Sequence, residues 1–244
     1  MTRAILSLFI LYLSLWAEEH VSEQLWGNVI MGSDQNDKVY LELDLEPKAQ
    51  IEGSTTWYNI DATGLLEYYP SSWVDLTAEV VTGYTYDESP RSTVELTTRL
   101  GIRLHIFGNL RQYIPNKSTL FFERFSLSTL LRYEYRTLDH DNALKEHQSR
   151  LRLRIETKTA LNHRSYTQDD TYYIFADGED FISFGEEVKE YFSSKFRIRI
   201  GPGYSYNEKH RFELLMLYDF ARDTYHDNVR HDAVAVNARY KIFF

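Results

Sequence analysis

Charged residues occupy every second position in several stretches of this 244-residue sequence. The densest stretch alternates charged and apolar side chains in the order Arg150, Leu151, Arg152, Leu153, Arg154, Ile155, Glu156, Thr157 and Lys158. A β-strand places successive side chains on opposite faces, so these charges would share one face. Rows of fixed charge select solutes in pores, whereas mutually paired charges can hold a narrow interior together. Both hypotheses follow from this pattern.

A second arrangement could support nucleophilic catalysis. His163 and Ser165 lie two residues apart, and Asp177 follows. A histidine can deprotonate a serine while an acidic group orients the histidine. Barrel lipases that cut acyl chains use a His-x-Ser arrangement, but here Tyr166 replaces the usual asparagine and the segment is predicted to be a turn. A lipid-modifying acyl hydrolase is therefore the alternative function. The same residues could instead form a polar turn without catalytic activity.

Two segments rich in histidine and aspartate, 139–142 and 226–232, offer possible ligands for a divalent cation. Solvated loops have the same composition, and no zinc-spaced cluster or phosphate-binding glycine loop occurs. We therefore predict no catalytic, cofactor-binding or metal-binding residues, no cofactor and no enzymatic activity. The sequence contains no cysteine, which excludes disulfides, and its net charge of -9 argues against a nucleic-acid partner.

The elements that must position these residues are predicted to be long β-strands. From Val94 to Ile106, apolar residues alternate strictly with polar ones such as Arg99 and Arg103. Several such runs last for about twelve residues, which exceeds the average soluble strand and matches the length of a tilted membrane strand. Tyrosines lie near predicted strand ends, as an interfacial girdle requires: Tyr68, Tyr69, Tyr84, Tyr86, Tyr133, Tyr135, Tyr172, Tyr173, Tyr204 and Tyr206.

These features predict an all-β fold, an antiparallel transmembrane β-barrel of the outer-membrane type. A soluble periplasmic β-barrel binding protein is the other architecture with this alternation. An Arg or Lys on the lipid face costs roughly 2–4 kcal/mol near mid-membrane, so the charged rows must face the lumen. The residues predicted to line the lumen are Arg99, Arg103, Arg124, Arg132, Glu134, Arg136, Arg150, Arg152, Arg154, Glu156, Lys158, Arg197, Arg199, Arg211, Glu213 and Arg239.

The charges are unevenly distributed along the chain, since basic residues dominate the middle and late strands and acidic residues the early ones. This distribution indicates a lumen with two electrostatic sides. The expected function is a narrow pore or structural barrel with an Arg/Glu-lined lumen, with small acidic solutes as candidate cargo.

The number of strands depends on how two segments of the chain are assigned. Eleven candidate strands can be counted, whereas a barrel with both chain ends in the periplasm needs an even number. We favour twelve, with an extra strand near Phe107 to Ile114; ten would result if Gln24 to Met31 lay outside the wall. The final stretch should pair with the first strand, with Val234, Val236, Ala238, Tyr240, Ile242 and Phe244 facing lipid and Arg239 and Lys241 facing inward.

The N-terminal segment 1–17 has a single arginine, an apolar run and a terminal alanine, followed by Glu18 and Glu19. This layout predicts a secretory signal peptide, which leaves residues 18–244 as one barrel domain. We expect the bacterial outer membrane as its location and outer-membrane lipids as its surroundings. We also expect a barrel-assembly machinery to recognise the last strand, which ends at Phe244.

The chain resembles the DUF2490 family of uncharacterised outer-membrane β-barrel proteins. The matching segments are Gln24 to Trp26, Arg132 to Arg136, Arg150 to Arg154, Tyr172 to Phe181 and Arg197 to Tyr204. The resemblance covers most of the chain after residue 17. It implies an outer-membrane barrel and supplies neither an activity nor functional residues.

Overall fold

The computed structural model describes residues 21–51, 57–87, 92–107, 124–141, 145–185, 188–190, 192–224 and 229–244. Twelve strands are described in chain order: β1 (Val21–Asn36), β2 (Val39–Gln50), β3 (Trp57–Ser71), β4 (Val74–Asp87), β5 (Thr93–Phe107), β6 (Phe125–His140), β7 (Glu146–Ala160), β8 (Thr171–Phe184), β9 (Ser193–Ser205), β10 (His210–Asp223), β11 (Val229–Arg230) and β12 (Asp232–Phe243). No helix in these ranges is long and apolar enough to cross a membrane. The predicted signal peptide, 1–17, lies outside the described residues.

Eleven of the described strands close into a barrel. Strands β1 to β10 pair in sequence order, β12 pairs with β10, and β1 pairs with β12 to complete the ring. The two-residue β11 pairs only with the end of β10. Every pairing between wall strands is antiparallel except β1–β12, which is parallel over twelve residue pairs. The predicted all-β barrel of outer-membrane type is therefore confirmed, with one parallel seam.

The strand number differs from both predicted numbers, twelve and ten. Strand β1 belongs to the wall, since it is hydrogen-bonded to β2 on one side and to β12 on the other. No additional strand can lie between β5 and β6, because these two pair directly from Thr93↔His140 to Phe107↔Leu127. Residues 108–123, where the twelfth strand was expected, lie outside the described residues. An odd number of wall strands makes the first and last run in the same direction, so the seam is parallel.

The alternation in the sequence corresponds to the two faces of the wall. On β5, the outward residues Leu96 and Leu100 are 52% and 66% exposed, whereas Thr97 between them faces inward and is fully buried. The last strand follows its predicted faces, because Arg239 and Lys241 line the interior cavity. The outer surface is therefore apolar, and the polar groups lie inside.

The tyrosine girdle is only partly as predicted. Tyr68, Tyr84, Tyr133, Tyr135, Tyr172 and Tyr206 are exposed on the outer surface. Tyr69 and Tyr173 instead point inward, where their hydroxyls donate to Glu67 at 2.9 Å and to Glu213 at 2.9 Å. Both residues follow an outward tyrosine, so the pleat of the strand directs them into the lumen.

The barrel has two distinct ends. We call the end at which β12 finishes the C-terminal mouth; it contains the turns 37–38, 72–73 and 206–209 and the loop 161–170. The opposite mouth contains the β8–β9 connection, of which residues 185, 188–190 and 192 are described. A solute can enter the lumen only through one of these two ends.

Candidate functional site

The interior contains a cavity of about 1270 Å³. Its lining reaches Asp37, Thr167 and Glu208 at the C-terminal mouth and Glu190 and Phe192 at the opposite one. Most lining side chains are polar or charged, so the cavity suits water and hydrophilic solutes rather than acyl chains.

Thirteen of the sixteen residues predicted to line the lumen border this cavity: Arg99, Arg103, Arg132, Arg136, Arg150, Arg152, Arg154, Glu156, Lys158, Arg197, Arg199, Arg211 and Arg239. The other three are Arg124, Glu134 and Glu213. The two glutamates are buried behind the cations that contact them. Arg124 lies at the C-terminal mouth, where it donates to the carbonyl of Leu161 at 3.2 Å.

A lattice of ion pairs fills the middle of the barrel beside the cavity. The fully buried Glu134 contacts three arginines, Arg99 at 2.6 Å and Arg150 and Arg152 at 2.7 Å. A buried carboxylate is tolerated only when cations and hydrogen bonds replace its lost hydration. Three guanidinium groups therefore replace the water that this carboxylate loses on burial.

Arg132 extends this lattice across several strands. From β6 its guanidinium reaches Glu79 on β4 at 2.8 Å and Glu179 on β8 at 3.0 Å. Each contact passes over one intervening strand. Glu179 is in turn contacted by Arg152 at 2.7 Å. The long arginine side chains thus link the wall strands from β4 to β8.

One side of the lumen holds more cations than carboxylates. We define the basic sector, on β7 to β10 and β12, by six cations and three carboxylates: Arg154, Lys158, Arg199, Arg211, Arg239 and Lys241 with Glu156, Asp177 and Glu213. Five of the cations share the three carboxylates at N···O distances from 2.6 to 3.1 Å. Of these six cations, only Arg211 has no carboxylate partner among the described residues. The basic sector therefore has three more positive charges than negative ones.

The facing side has the reverse imbalance. We define the acidic sector, on β2 and β3, by Glu42, Asp44, Glu46 and Asp61 with the single cation Lys48. Lys48 contacts Asp61 at 2.8 Å and Glu46 at 3.3 Å. Asp44 accepts hydrogen bonds from Asn28, and Glu42 accepts one from Tyr40 at 2.7 Å. In the ring of wall strands, β9 is the middle strand of the basic sector and lies four strands from β2 and five from β3, so the centres of the two sectors face each other across the lumen.

The β8–β9 connection folds over the opposite mouth. Val188 is buried, and Thr224 at the end of β10 accepts from the Glu190 amide and donates to the Val188 carbonyl, both at 2.8 Å. The Phe192 ring packs edge-on against Trp57, with centroids 5.0 Å apart. Trp57 begins β3, which lies on the far side of the ring from β9. This contact therefore spans the mouth.

Several interior residues were not foreseen from the sequence. The Phe181 ring has the guanidinium groups of Arg150 and Arg152 within 4.8 Å of its centroid. Trp26 lies between Lys48 and Arg197, at 4.8 and 4.9 Å. Such contacts stabilise these cations in addition to the carboxylates that each of them contacts. A signal was present for Phe181, since it shares the inward parity of the charged residues of β8.

The family model described as "Protein of unknown function (DUF2490)" matches residues 23–230. The chain belongs to the DUF2490 family. The resemblance predicted from its segments is thereby confirmed. No curated protein sequence matches this DUF2490 protein.

Among solved structures, the DUF2490 barrel is similar to LpxR from Salmonella typhimurium. The TM-score is 0.53 and the identity 9%, and the alignment covers 88% of this chain and 87% of that one. At this identity the similarity concerns the fold alone. It agrees with the outer-membrane-type barrel described above.

The DUF2490 barrel does not bring the predicted nucleophile and its acid together. Ser165 shares a hydrogen bond with Thr167 at 2.9 Å, and His163 is exposed in the same loop. Asp177 is buried inside the lumen, where it contacts Arg199 and Arg154 at 2.6 and 2.7 Å. The described residues contain no hydrogen bond between His163 and Ser165. Thus the geometry of this loop is that of a polar turn.

The segments considered for metal binding are also dispersed. Asp139 contacts Lys145 at 3.0 Å, and His140 points inward to Thr93 at 2.8 Å. His231 packs against Phe192. Residues 142 and 226–228 lie outside the described residues. In the part of the chain that is described, no three His, Asp or Glu side chains are grouped to hold a metal ion.

Proposed function

We propose that this DUF2490 protein is an outer-membrane barrel that passes small acidic solutes through a narrow, charge-separated lumen. The observation that carries the proposal is the pair of facing sectors on a cavity of about 1270 Å³. Opposite charge on two walls of a confined lumen creates a transverse field that orients a charged or dipolar solute. A lumen filled with uncharged side chains would not require this separation of positive and negative charge.

The outer surface supports a membrane location. Its large exposed side chains are mostly Leu, Ile, Val, Tyr and Phe, as bilayer contact requires. A soluble barrel would instead expose polar side chains on this face. We therefore place the protein in the bacterial outer membrane, surrounded by its lipids.

An acidic solute is favoured over a basic one by the relative extent of the two sectors. The basic sector covers five wall strands, β7 to β10 and β12, whereas the acidic sector covers two. The central lattice also presents guanidinium groups to the cavity, among them Arg99 and Arg132. These groups make the path for an anion more favourable than the path for a cation.

Planar bilayer recording of the purified protein tests the proposal. We expect small, reproducible conductance steps, with a reversal potential in a salt gradient that indicates anion preference. Silent bilayers would overturn conduction and support the other role open from the sequence, a structural barrel whose lumen is held together by paired Arg and Glu. Cation preference would overturn the assignment of acidic solutes.

A further inference from the structure

We propose that Arg211 marks a binding site for a multiply charged oxyanion, of the phosphate or polycarboxylate type, near the C-terminal mouth of the lumen. The site deepens the proposed passage of acidic solutes and rests on it for its biological use, because it names the class of solute. The inference depends on how Arg211 is held, which charges surround it and how many of them remain uncompensated.

The guanidinium of Arg211 is held by aromatic side chains rather than by carboxylates. Its guanidinium lies 4.5 Å from the centroid of Phe243 and 5.6 Å from that of Tyr166. Its Nε is buried without a hydrogen-bond partner, and it contacts no carboxylate in the described part of the chain. Aromatic rings fix the plane of a guanidinium while leaving its N–H groups available. The side chain is therefore positioned but not neutralised.

The loop 161–170 builds one wall of this site. Ser205 donates to the Tyr166 carbonyl at 2.6 Å, and the Tyr166 ring packs against Tyr173 with centroids 5.6 Å apart. Lys158 lies 5.0 Å from the centroid of the same Tyr166 ring. Two cations from different strands, Lys158 on β7 and Arg211 on β10, thus converge on one aromatic side chain that borders the cavity.

Charged groups near Arg211 lie on β7, β10 and β12 and in the turn before β10, whereas its register partner on β9 is the uncharged Ser205. On β12, Lys241 is its register partner and is paired with Glu213 of β10. On β7, Lys158 is paired with Glu156 at 2.7 Å. In the turn before β10, Glu208 borders the cavity but is exposed and forms no ion pair with Arg211. The buried acids of this region are therefore already engaged by other cations.

The excess of cations over carboxylates in the basic sector indicates how many charges the ligand carries. The basic sector has six cations for three carboxylates, and five of those cations have side chains no more than 16% exposed. Like charges in a partly dehydrated lumen repel strongly, and an anion relieves this repulsion in proportion to its charge. A monovalent carboxylate would relieve less of this repulsion than an anion with two or three charges. A phosphate or a polycarboxylate would neutralise most of the surplus and accept paired N–H groups from Arg211.

Isothermal titration calorimetry of the full-length protein in detergent tests the site. The probes are sodium phosphate and sodium citrate, compared with sodium acetate at matched ionic strength in chloride. We expect phosphate and citrate to bind about tenfold or more tightly than acetate, which carries one charge. Equal affinity for acetate would overturn the assignment of a multiply charged ligand.

The variant Arg211→Gln should weaken phosphate and citrate binding by about tenfold. Arg211 has no carboxylate partner in the described chain, so the substitution leaves no acid unpaired and should not impair folding. Arg211→Lys keeps the charge but not the planar pair of donors, and should weaken binding by a smaller factor. Arg222→Gln is the matched control, because Arg222 is exposed on the outer side of β10 near the opposite mouth.

Unchanged binding in both Arg211 variants, or absent binding by the wild-type protein, would overturn the site. Loss of binding in Arg222→Gln as well would show that net charge rather than this site determines binding. Binding in calorimetry together with silent bilayers would retain the site and refute conduction. Conductance with no calorimetric binding would retain the proposed function and refute the site.

Discussion

The guanidinium of Arg136 donates to both carboxylate oxygens of Glu190, at 2.9 and 2.8 Å. Arg136 belongs to the wall strand β6, whereas Glu190 belongs to the connection between β8 and β9. The same guanidinium also contacts Glu95 and Gln148. A two-point charged bond is stronger than a neutral one and fixes orientation as well as distance. This pair therefore anchors the cover of the opposite mouth.

Glu190→Gln should make higher-conductance events more frequent in planar bilayers. A hydrogen bond to a charged group contributes about 1.5–3 kcal/mol, so its loss should raise the population of the uncovered arrangement by roughly tenfold or more. Arg136 would keep Glu95 as a partner, which limits damage to the wall. Glu23→Gln, an exposed acid near the same mouth, is the control. Unchanged event frequency would mean that the β8–β9 connection does not limit conduction.

Glu134→Gln should destabilise the barrel by about 3–5 kcal/mol, because it removes one partner of a buried ion pair. Arg99 and Arg152 would keep Glu79 and Glu179, but Arg150 contacts no other carboxylate within ion-pair distance in the described chain. Urea unfolding in lipid vesicles measures the effect.

The double variant Glu134→Gln/Arg150→Met should recover part of this loss, since it also removes the unpaired cation. Glu208→Gln, in an exposed turn, should stay within about 0.5 kcal/mol of the wild type. A loss below about 1 kcal/mol for Glu134→Gln would contradict a structural role for the lattice.

Gly203→Ala should destabilise the protein by about 1–3 kcal/mol, as overpacking does. The Tyr173 ring lies over Gly203, and an added Cβ would overlap it. The ring would have to move and would lose its hydrogen bond to Glu213. Gly64→Ala is the matched control, because open space surrounds Gly64. The shift of the unfolding midpoint in urea measures both variants, and equal midpoints would show that Tyr173 adjusts freely.

Deletion of Phe244 should reduce the amount of assembled barrel in cells. Its amide donates to the Gly32 carbonyl at 2.9 Å across the seam, and its side chain is 72% exposed. We propose that the barrel-assembly machinery recognises this terminal aromatic residue. Heat-modifiable mobility of the membrane fraction on gels measures the assembled amount. Phe244→Ala is the companion variant. Wild-type amounts of assembled barrel in the deletion and in Phe244→Ala would refute this role.

Much of the fold was predictable because the period of a strand is two and one face must contact lipid. That rule puts Arg150, Arg152 and Arg154 on the inward face, and all three border the cavity. The same rule applies to Tyr173, which lies four positions before the inward Asp177 on β8 and therefore on the same face. The position of Tyr173 near a strand end suggested an interfacial side chain, but the pleat of the strand determines the direction in which the side chain points.

The strand number and the details of the site were not predictable in the same way. The strand number depends on how β1 meets β12, a contact between residues such as Asn28 and Asn237 that are 209 positions apart. Arg211 lacks a carboxylate partner because Glu213 contacts Arg239 and Lys241 instead. That choice of partners depends on distances between side chains of different strands. Alternation alone carries no information about either.

The parallel seam has a consequence for how the protein could be labelled. Because β1 and β12 run in the same direction, the backbone at Val21 and the backbone at Phe243 emerge at opposite mouths. A peptide tag introduced just before Val21 and one added after Phe244 would therefore report from different sides of the bilayer. Selective protease access to only one of the two tags in intact cells would establish the orientation of the barrel directly.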